Sequence, residues 1–299
     1  MEIDVIGIPF KGDGTRPTQE NPAAALREAG LVDLIRSQGN NVRDHGDLDI
    51  PAFDGYRDPE TQVLNIHAWL KVSSNAAKRI SAVHQTSRFL IVLGGDCSIL
   101  LGIYGGLAPR HEWVGLMFLD AHTDYRDPGT SPTGEPADIE LAVLTGRGPE
   151  KLVNLFGKQP LLKEDDVIIY GYREPDHISK SRIRCFSQTE MSKTGIKRSA
   201  TQGLATLAET ESLWLHFDVD VLDPTLMPVS FPEPNGLDLD QVETFFRVCL
   251  SSKRFIGLSV ACYHPRLDPG RRAASRLVKL LASALSGANA TSARKSVGE

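Results

Sequence analysis

Apolar residues along this chain fall into short continuous runs that alternate with longer stretches of helical periodicity. The runs Phe89–Leu93 and Val114–Leu119 contain almost no polar residue, and such runs are typical of strands buried on both faces of a sheet. Between residues 63 and 83, by contrast, apolar residues recur at helical spacing, which predicts a helix with one buried face. The alternation predicts a doubly wound, mostly parallel sheet covered by helices on both sides.

The remaining runs complete this pattern without a linker. Further strands are predicted at Ile3–Ile8, Val167–Tyr170, Leu213–Phe217 and Phe255–Ala261. A helix is predicted from Pro22, which follows the N-cap residue Asn21, to Gly39. Other predicted helices are Asp138–Thr145, Leu239–Ser251 and Arg271–Ser283. We therefore expect one α/β domain over residues 1–285, followed by a flexible tail of small and polar residues at 286–299.

Polar side chains that suit metal binding follow two of the predicted strands. One strand is followed by Asp120, His122 and Asp124, and the other by Asp218 and Asp220. Residues two apart in a strand point to the same side, so each set can converge at a strand end. Carboxylates gathered in this way repel one another unless cations are present. The pattern therefore predicts two divalent metal ions, which can share and ionise a water molecule.

Composition narrows the functional classes. The 299 residues are 41% hydrophobic and 24% charged, with a net charge of −5, as in ordinary globular proteins. A mildly acidic chain without a basic stripe does not favour a nucleic-acid partner, and no apolar run reaches the ~18 residues of a membrane span. The first residues do not resemble a secretory signal, and four widely spaced cysteines favour a reduced, cytoplasmic compartment.

Each motif also has an ordinary structural interpretation. Residues 120–124 can form a capped turn with a surface histidine, and Asp223-Pro224 is typical of a turn. Cys97, after Gly94-Gly95-Asp96, can be a core residue. All of these residues, however, follow strands of one predicted sheet, and α/β proteins bind ligands at the carboxyl ends of their strands. That coincidence favours a functional centre.

With these motifs in order along the chain, the sequence resembles the ureohydrolase superfamily of arginases, agmatinases and formiminoglutamases. The resemblance runs from Gly7-Ile-Pro9-Phe through the region 21–31 to Asp44-His-Gly46-Asp47-Leu48. Leu93-Gly-Gly-Asp96-Cys97-Ser98 is similar to the family's Gly-Gly-Asp-His-Ser phrase. Asp120-Ala-His122-Thr-Asp124 and residues 217–224 match its two main signatures.

The resemblance implies a three-layer α/β/α fold around an eight-stranded sheet and a centre of two manganese ions, although another divalent metal is possible. By position, Asp120 and Asp218 would bridge the metals, and His122 and Asp220 would complete one site. Asp124 would complete the other site with Cys97. A metal-bound hydroxide would attack the substrate carbon, with Asp124 and His122 as the candidate catalytic residues. Manganese also suits oxygen-rich ligands.

Three residues depart from the family pattern. Cys97 replaces a histidine ligand, and a thiolate favours zinc or iron over manganese. Ala137 stands where arginase-like members have a proton-shuttling histidine, so a proton donor must come from Glu135, Asp138, Glu140 or the more distant His264. Cys262 stands where a glutamate holds the guanidinium group. An unpaired buried cation is costly, so a substrate other than arginine is expected, for example an amide, a formimino group or an N-hydroxylated group.

The resemblance also indicates substrate contacts. Asp176 lies in a loop similar to the one that contacts the substrate amino group in the family. Arg126 follows the metal motif, at a position where family members often have a polar residue that binds a carboxylate. Asp138 is a third candidate, and a surface ion pair is the alternative for Asp176 and Arg126. We expect a hydrolase that cleaves a linear, non-peptide carbon–nitrogen bond in a small-molecule substrate. We also expect the protein to form a homo-oligomer. Two alternatives remain open: a mononuclear amide hydrolase of the deacetylase kind and a non-catalytic family member.

Overall fold

The computed structural model of the protein describes residues 1–173, 178 and 180–293. Its centre is a sheet of eight strands: β1 (Glu2–Ile8), β2 (Asn41–Asp47), β3 (Phe89–Gly94), β4 (Val114–Leu119), β5 (Val167–Tyr170), β6 (Arg184–Phe186), β7 (Ser212–Asp218) and β8 (Phe255–Ala261). All neighbouring strands are parallel, in the order β2-β1-β3-β8-β7-β4-β5-β6. The predicted eight-stranded parallel architecture is confirmed.

Helices cover both faces of this sheet. They are α1 (Pro22–Glu28), α2 (Leu31–Ser37), α3 (Ile66–Val83), α4 (Leu100–Leu107), α5 (Glu140–Leu144), α6 (Glu150–Val153), α7 (Gln188–Thr194), α8 (Ile196–Thr206), α9 (Leu239–Leu250) and α10 (Arg272–Ala293). Ile91 of β3 packs into a core with α1, α2, α9 and α10, whereas the adjacent Leu90 and Val92 pack into a second core with α3 and α4. The three predicted layers are therefore present.

Several predicted element bounds were wrong. The single helix expected from Pro22 to Gly39 is two helices, because Gly30 takes a left-handed conformation with φ of 90° and interrupts the helical backbone. The helix expected at Asp138–Thr145 is limited to α5, and a short 3-10 turn, Pro136–Asp138, precedes it. The strands β2 and β6 and the helices α6, α7 and α8 were not predicted.

The last helix extends further than the sequence pattern indicated. α10 continues to Ala293, beyond the predicted end at Ser283 and into the segment expected to be a flexible tail. Residues 294–299 lie outside the described part of the chain, so the domain boundary at residue 285 stays a prediction. Among the described residues, no helix combines the length and the apolar character needed to cross a bilayer.

The four central strands place the polar motifs together. β3, β8, β7 and β4 are consecutive neighbours in the sheet, so their carboxyl ends lie side by side. Cys97 follows β3, Cys262 follows β8, Asp218 ends β7 and Asp120 follows β4. The parallel topology therefore brings chemistry from four distant segments to one edge, as expected for an open α/β sheet.

Candidate metal centre

The turn after β3 holds Cys97 at the centre of this edge. Asp96 caps a short 3-10 turn, Cys97–Ile99, because its Oδ1 atom accepts from the Ser98 N–H at 3.1 Å. The other Asp96 oxygen accepts from the Gly12 N–H at 2.5 Å. A Cβ atom at Gly95 would lie 2.0 Å from the Phe10 carbonyl oxygen, so only glycine allows this close approach.

Asp120, His122 and Asp220 form one half of the cluster. The His122 Nδ1 atom lies 3.1 Å from Asp220 Oδ2 and 3.6 Å from Asp120 Oδ1. Backbone groups hold both carboxylates, since the His122 N–H donates to Asp120 Oδ1 at 2.7 Å and the Ala121 N–H donates to Asp220 Oδ1 at 3.1 Å. These three side chains are close enough to hold one metal ion.

Cys97 and Asp218 form the other half. The Cys97 Sγ atom lies 2.8 Å from Asp218 Oδ2 and 3.7 Å from Asp120 Oδ2. The second oxygen of Asp218 accepts from the Asp220 N–H at 2.8 Å, so Asp218 also contacts the half that contains His122. Asp120 and Asp218 thus lie between the two halves, and their bridging role stays a prediction.

Asp124 approaches the cluster from the loop after β4, together with a residue that was expected to play another part. Asp124 has a left-handed backbone with φ of 47°, and its carboxylate lies within 4.8 Å of ligand atoms of Cys97 and Glu140. Glu140, at the start of α5, is fully buried, and its carboxylate oxygens accept no hydrogen bond from an N–H or O–H donor of the described residues; the Asp124 carboxyl is its polar neighbour. Sequence analysis named Glu140 only as one of several possible proton donors.

His216 was missed by the sequence analysis. It lies within β7, fully buried, with its Nε2 atom 3.1 Å from Cys97 Sγ and its Nδ1 atom 2.7 Å from Ser259 Oγ. Its ring stacks on Phe118 at a centroid distance of 4.9 Å. A signal was available, since His216 stands two residues before Asp218 and therefore on the same face of the strand.

The electrostatics of the cluster suit cations. Burial, and then repulsion from Asp220, raise the pKa of Asp120 to about 6. Burial and neighbouring acids hold the pKa values of Asp124 and Asp218 well above their usual range. Burial opposes a charge on His122, but hydrogen bonds to Asp120 and Asp220 outweigh it and raise the pKa to about 12. Groups that hold protons this tightly can exchange them for divalent cations.

The buried carboxylate of Glu140 also indicates that the cluster suits a cation. A buried carboxyl group without a hydrogen bond is unfavourable, and burial raises the pKa of Glu140 well above its usual range. A nearby cation would give its oxygens a partner. The donor set, four aspartates, one glutamate, two histidines and a thiol, is therefore suited to divalent metal ions.

A cleft of about 210 Å³ opens onto this cluster. Lys11 and Arg126 bring positive charge to its wall, and Ala137 and Cys262 line it as well. The Arg126 Nε atom lies 3.3 Å from Asp138 Oδ1, so two of the predicted substrate contacts are paired with each other beside the cluster. Asp176, the third, lies outside the described residues.

Of the predicted proton donors, two differ clearly in their surroundings. Glu135 faces the cleft, and burial raises its pKa to about 7. His264 lies away from the cluster, where its Nδ1 atom is 2.7 Å from the buried carboxylate of Glu20. Glu135 therefore lines the cleft, whereas His264 does not, and the role of Glu135 as a proton donor stays a prediction.

Comparisons with known proteins agree with this arrangement. The model of the Arginase family matches residues 1–287. The arginase of Bacillus subtilis (strain 168) is 29% identical over 290 residues, covering 95% of this chain and 97% of that protein. The arginase structure from Bacillus cereus superimposes with a TM-score of 0.86 at 30% identity, covering 95% of this chain and 98% of that chain. For the Bacillus caldovelox arginase the TM-score is 0.88 at 28% identity, with 94% and 97% covered. The chain therefore belongs to the arginase family and is a hydrolase of that family.

Proposed function

We propose that this protein hydrolyses a linear, non-peptide carbon–nitrogen bond of a small amidine, formimino compound or amide at a dinuclear metal centre. The observation that carries the proposal is the convergence of Asp120, Asp124, Asp218 and Asp220 with His122 at one buried point. So many acids gathered out of contact with water are stable only with protons or cations. The chain belongs to a family of hydrolases, and bound cations would activate the water that hydrolysis needs. Family membership therefore favours cations over protons at this cluster.

Two divalent ions would be bridged by Asp120 and Asp218. Asp220 and His122 would complete one site, and Cys97 and Asp124 the other. Bound ions of this kind supply an ionised water molecule at neutral pH and polarise the bond to be cleaved. Manganese suits the oxygen and imidazole donors of the first site, and two ions per chain are expected.

The chain's own residues would move the protons. Asp124 lines the cleft and would orient the attacking water. Glu135 would deliver a proton to the leaving nitrogen, because it lines the cleft and its pKa of about 7 keeps a protonated fraction at neutral pH. This assignment replaces the histidine that the family pattern places at Ala137.

The cleft favours a substrate without a strong positive charge at its reacting end. Cys262 offers no carboxylate where the family pattern places the glutamate that holds a guanidinium group, so such an ion would lack that partner. Lys11, in the same cleft, is paired with Glu20 at 3.3 Å. A carboxylate elsewhere on the substrate can pair with Lys11 or Arg126. A small molecule is the expected partner; a homo-oligomer and a cytoplasmic location stay predictions.

Metal content is the first test. The purified protein would be reconstituted separately with manganese, zinc, nickel and iron, analysed for bound metal, and then assayed for ammonia or urea release from guanidino, formimino and amide compounds. Two equivalents of metal and turnover of one compound are expected. One equivalent would favour a mononuclear, deacetylase-like hydrolase. No metal, or no turnover with any metal, would favour the non-catalytic alternative.

A further inference from the structure

We propose that the half of the centre around Cys97 is a nitrogen–sulfur site for Zn²⁺, in which His216 is a metal ligand. His216 would join the ligands proposed above for this half, which are Cys97, Asp120, Asp124 and Asp218; ligand atoms of Cys97, Asp120 and His216 lie within 4.8 Å of one another. The other half, with His122 and the oxygen ligands, would keep its preference for manganese. This inference rests on the proposed function only in assuming that cations occupy the cluster.

The position of His216 on β7 carries the first step. His216 and Asp218 lie on the same face of the strand, and a ring nitrogen of His216 lies within 4.8 Å of ligand atoms of Cys97 and Asp120. The imidazole is fully buried and its Nε2 atom lies 3.1 Å from Cys97 Sγ. The histidine that the family pattern places at residue 97 is thus replaced by a thiol there and an imidazole from β7, which β8 separates from β3.

The hydrogen bonds around Ser259 allow the Nε2 atom of His216 to bind a metal ion. The Trp214 indole N–H donates to Ser259 Oγ at 2.9 Å, and His216 Nδ1 lies 2.7 Å from the same oxygen. A hydroxyl oxygen has two acceptor lone pairs, so Ser259 can accept from Nδ1–H as well. The Nε2 lone pair then faces Cys97. Metal-binding histidines generally donate their other ring N–H to an oxygen in this way.

The distances around Cys97 fit a zinc ion. Zinc binds sulfur at about 2.3 Å and imidazole nitrogen at about 2.0 Å in tetrahedral geometry, which places neighbouring ligand atoms roughly 3.3–3.8 Å apart. Cys97 Sγ lies 3.1 Å from His216 Nε2, 2.8 Å from Asp218 Oδ2 and 3.7 Å from Asp120 Oδ2. These three distances from Sγ depart from that range by no more than about 0.5 Å.

The donor types decide which metal is favoured. Thiolate and imidazole together suit zinc, whereas manganese prefers oxygen ligands. Zinc binds most sites more tightly than manganese in any case, so the informative quantity is the change in each affinity when one ligand is removed. Cys262 is a second cysteine nearby, with its Sγ atom 3.9 Å from Cys97 Sγ. Replacing Cys262 therefore provides a comparison with replacing Cys97.

The test measures zinc and manganese affinity of His216→Gln by competition with a coloured chelator. Removing a residue that only orients a ligand lowers affinity about 10–100-fold. We expect the zinc affinity of His216→Gln to fall by more than that, and the manganese affinity of the other half to change less than about 10-fold. His84→Gln is the matched control, because His84 is also a buried, hydrogen-bonded histidine but lies far from the cluster. Unchanged zinc affinity in a folded His216→Gln variant would overturn the proposal.

Spectroscopy of the unaltered protein tests the ligands without any substitution. Cobalt bound in place of zinc should show a thiolate charge-transfer band, and zinc X-ray absorption should show one sulfur neighbour and at least one imidazole. Cys97→Ser should remove the cobalt band, while Cys262→Ala and Cys249→Ala, a buried cysteine outside the site, should retain it. A zinc spectrum with oxygen neighbours only would overturn the proposal.

The results separate this inference from the proposed function. Zinc bound by sulfur and imidazole in a protein that hydrolyses none of the compounds tested would support the inference and reject the function. Turnover by a protein whose zinc site lacks sulfur and imidazole would do the reverse.

Discussion

Asp218, like Asp120, contacts both halves of the candidate centre. One oxygen lies 2.8 Å from Cys97 Sγ and the other accepts from the Asp220 N–H at 2.8 Å. Asp218→Asn keeps the shape of the side chain but removes the negative charge that two cations would share. We expect at least one equivalent of bound metal to be lost, and hydrolysis to fall by more than the about 10–100-fold seen for supporting residues.

The measurement is elemental analysis together with the rate of hydrolysis. Asp223→Asn is the control, since Asp223 belongs to the same motif but accepts from the Thr225 N–H in a turn outside the cluster. A full metal complement in Asp218→Asn would refute the bridging role.

A prediction about stability concerns Glu140. Its carboxyl group is buried, and no N–H or O–H donor among the described residues bonds to it. Without metal this group destabilises the fold, so Glu140→Leu should raise the free energy of unfolding of the metal-free protein by about 1–3 kcal/mol. With metal, the variant should gain less or lose stability, because a cation partner is lost. Urea unfolding with and without manganese measures both values. Glu150→Leu, at the start of α6, is the control, and an equal gain in the two states would contradict a contact between Glu140 and the metal.

At the scale of elements, the turn after β3 determines where Cys97 lies. A Cβ atom at Gly95 would meet the Phe10 carbonyl oxygen at 2.0 Å, so Gly95→Ala must push β3 and the loop after β1 apart. Overpacking of this kind costs about 1–3 kcal/mol, and the shift should also weaken metal binding. Thermal unfolding and metal titration test both effects. Gly129→Ala, where a Cβ atom would meet nothing within 4 Å, should leave both unchanged; a similar loss in the two variants would contradict the prediction.

The elements that could be predicted from sequence are those whose burial leaves a pattern. β3 and β4 are buried along their whole length, and continuous apolar runs record this directly. β2 is an edge strand in which only Val42 is buried, so its sequence has no apolar run. β6 is only three residues long. Edge strands are stabilised by pairing with a neighbour, and a linear sequence pattern does not record that pairing.

The candidate site shows the same division. Asp120 and Asp218 end apolar strands, so alternation and topology together predict their convergence. His216 was hidden because it stands inside a run that was treated as apolar, and its contact with Cys97 crosses 119 positions of the chain. Glu140 could be assigned to a helix start by its charge, but its complete burial depends on how α5 packs. Contacts between distant segments of this kind cannot be inferred from spacing alone.

For the molecule as a whole, the buried histidine His84 should make stability depend on pH. Burial, and then the proximity of His111 and Arg110, lower the pKa of His84 to about 4 from an ordinary value near 6.5. The unfolded chain therefore binds the proton more readily than the folded one, and stability falls as the pH drops from 6.5 towards 4. The contribution of His84 over this interval is at most about 3 kcal/mol.

His84→Gln should therefore flatten the dependence of unfolding free energy on pH between about 4 and 6.5, without changing its shape above that range. Urea unfolding at a series of pH values measures the profile. His67→Gln replaces an exposed histidine on α3, the helix that ends just before His84, and should leave the profile as it was. A variant profile parallel to the wild-type one would show that His84 titrates normally.

Metal removal should reveal how far the centre stabilises the whole fold. The strands that carry Asp120 and Asp218 lie in the middle of the sheet, so ions bound at their ends act on the central core. Metal at 100 times its dissociation constant would add about 2.7 kcal/mol per site, which should raise the melting temperature by several degrees. Protons compete for the same oxygens, and the pKa of Asp120 is about 6, so the increase should be smaller at about pH 5 than at about pH 8. Calorimetry with a chelator and with added metal at both pH values measures the effect. Added metal should raise the melting temperature of Asp218→Asn less than that of the unaltered protein. Equal melting temperatures with and without metal would show that the cluster holds its protons instead of cations.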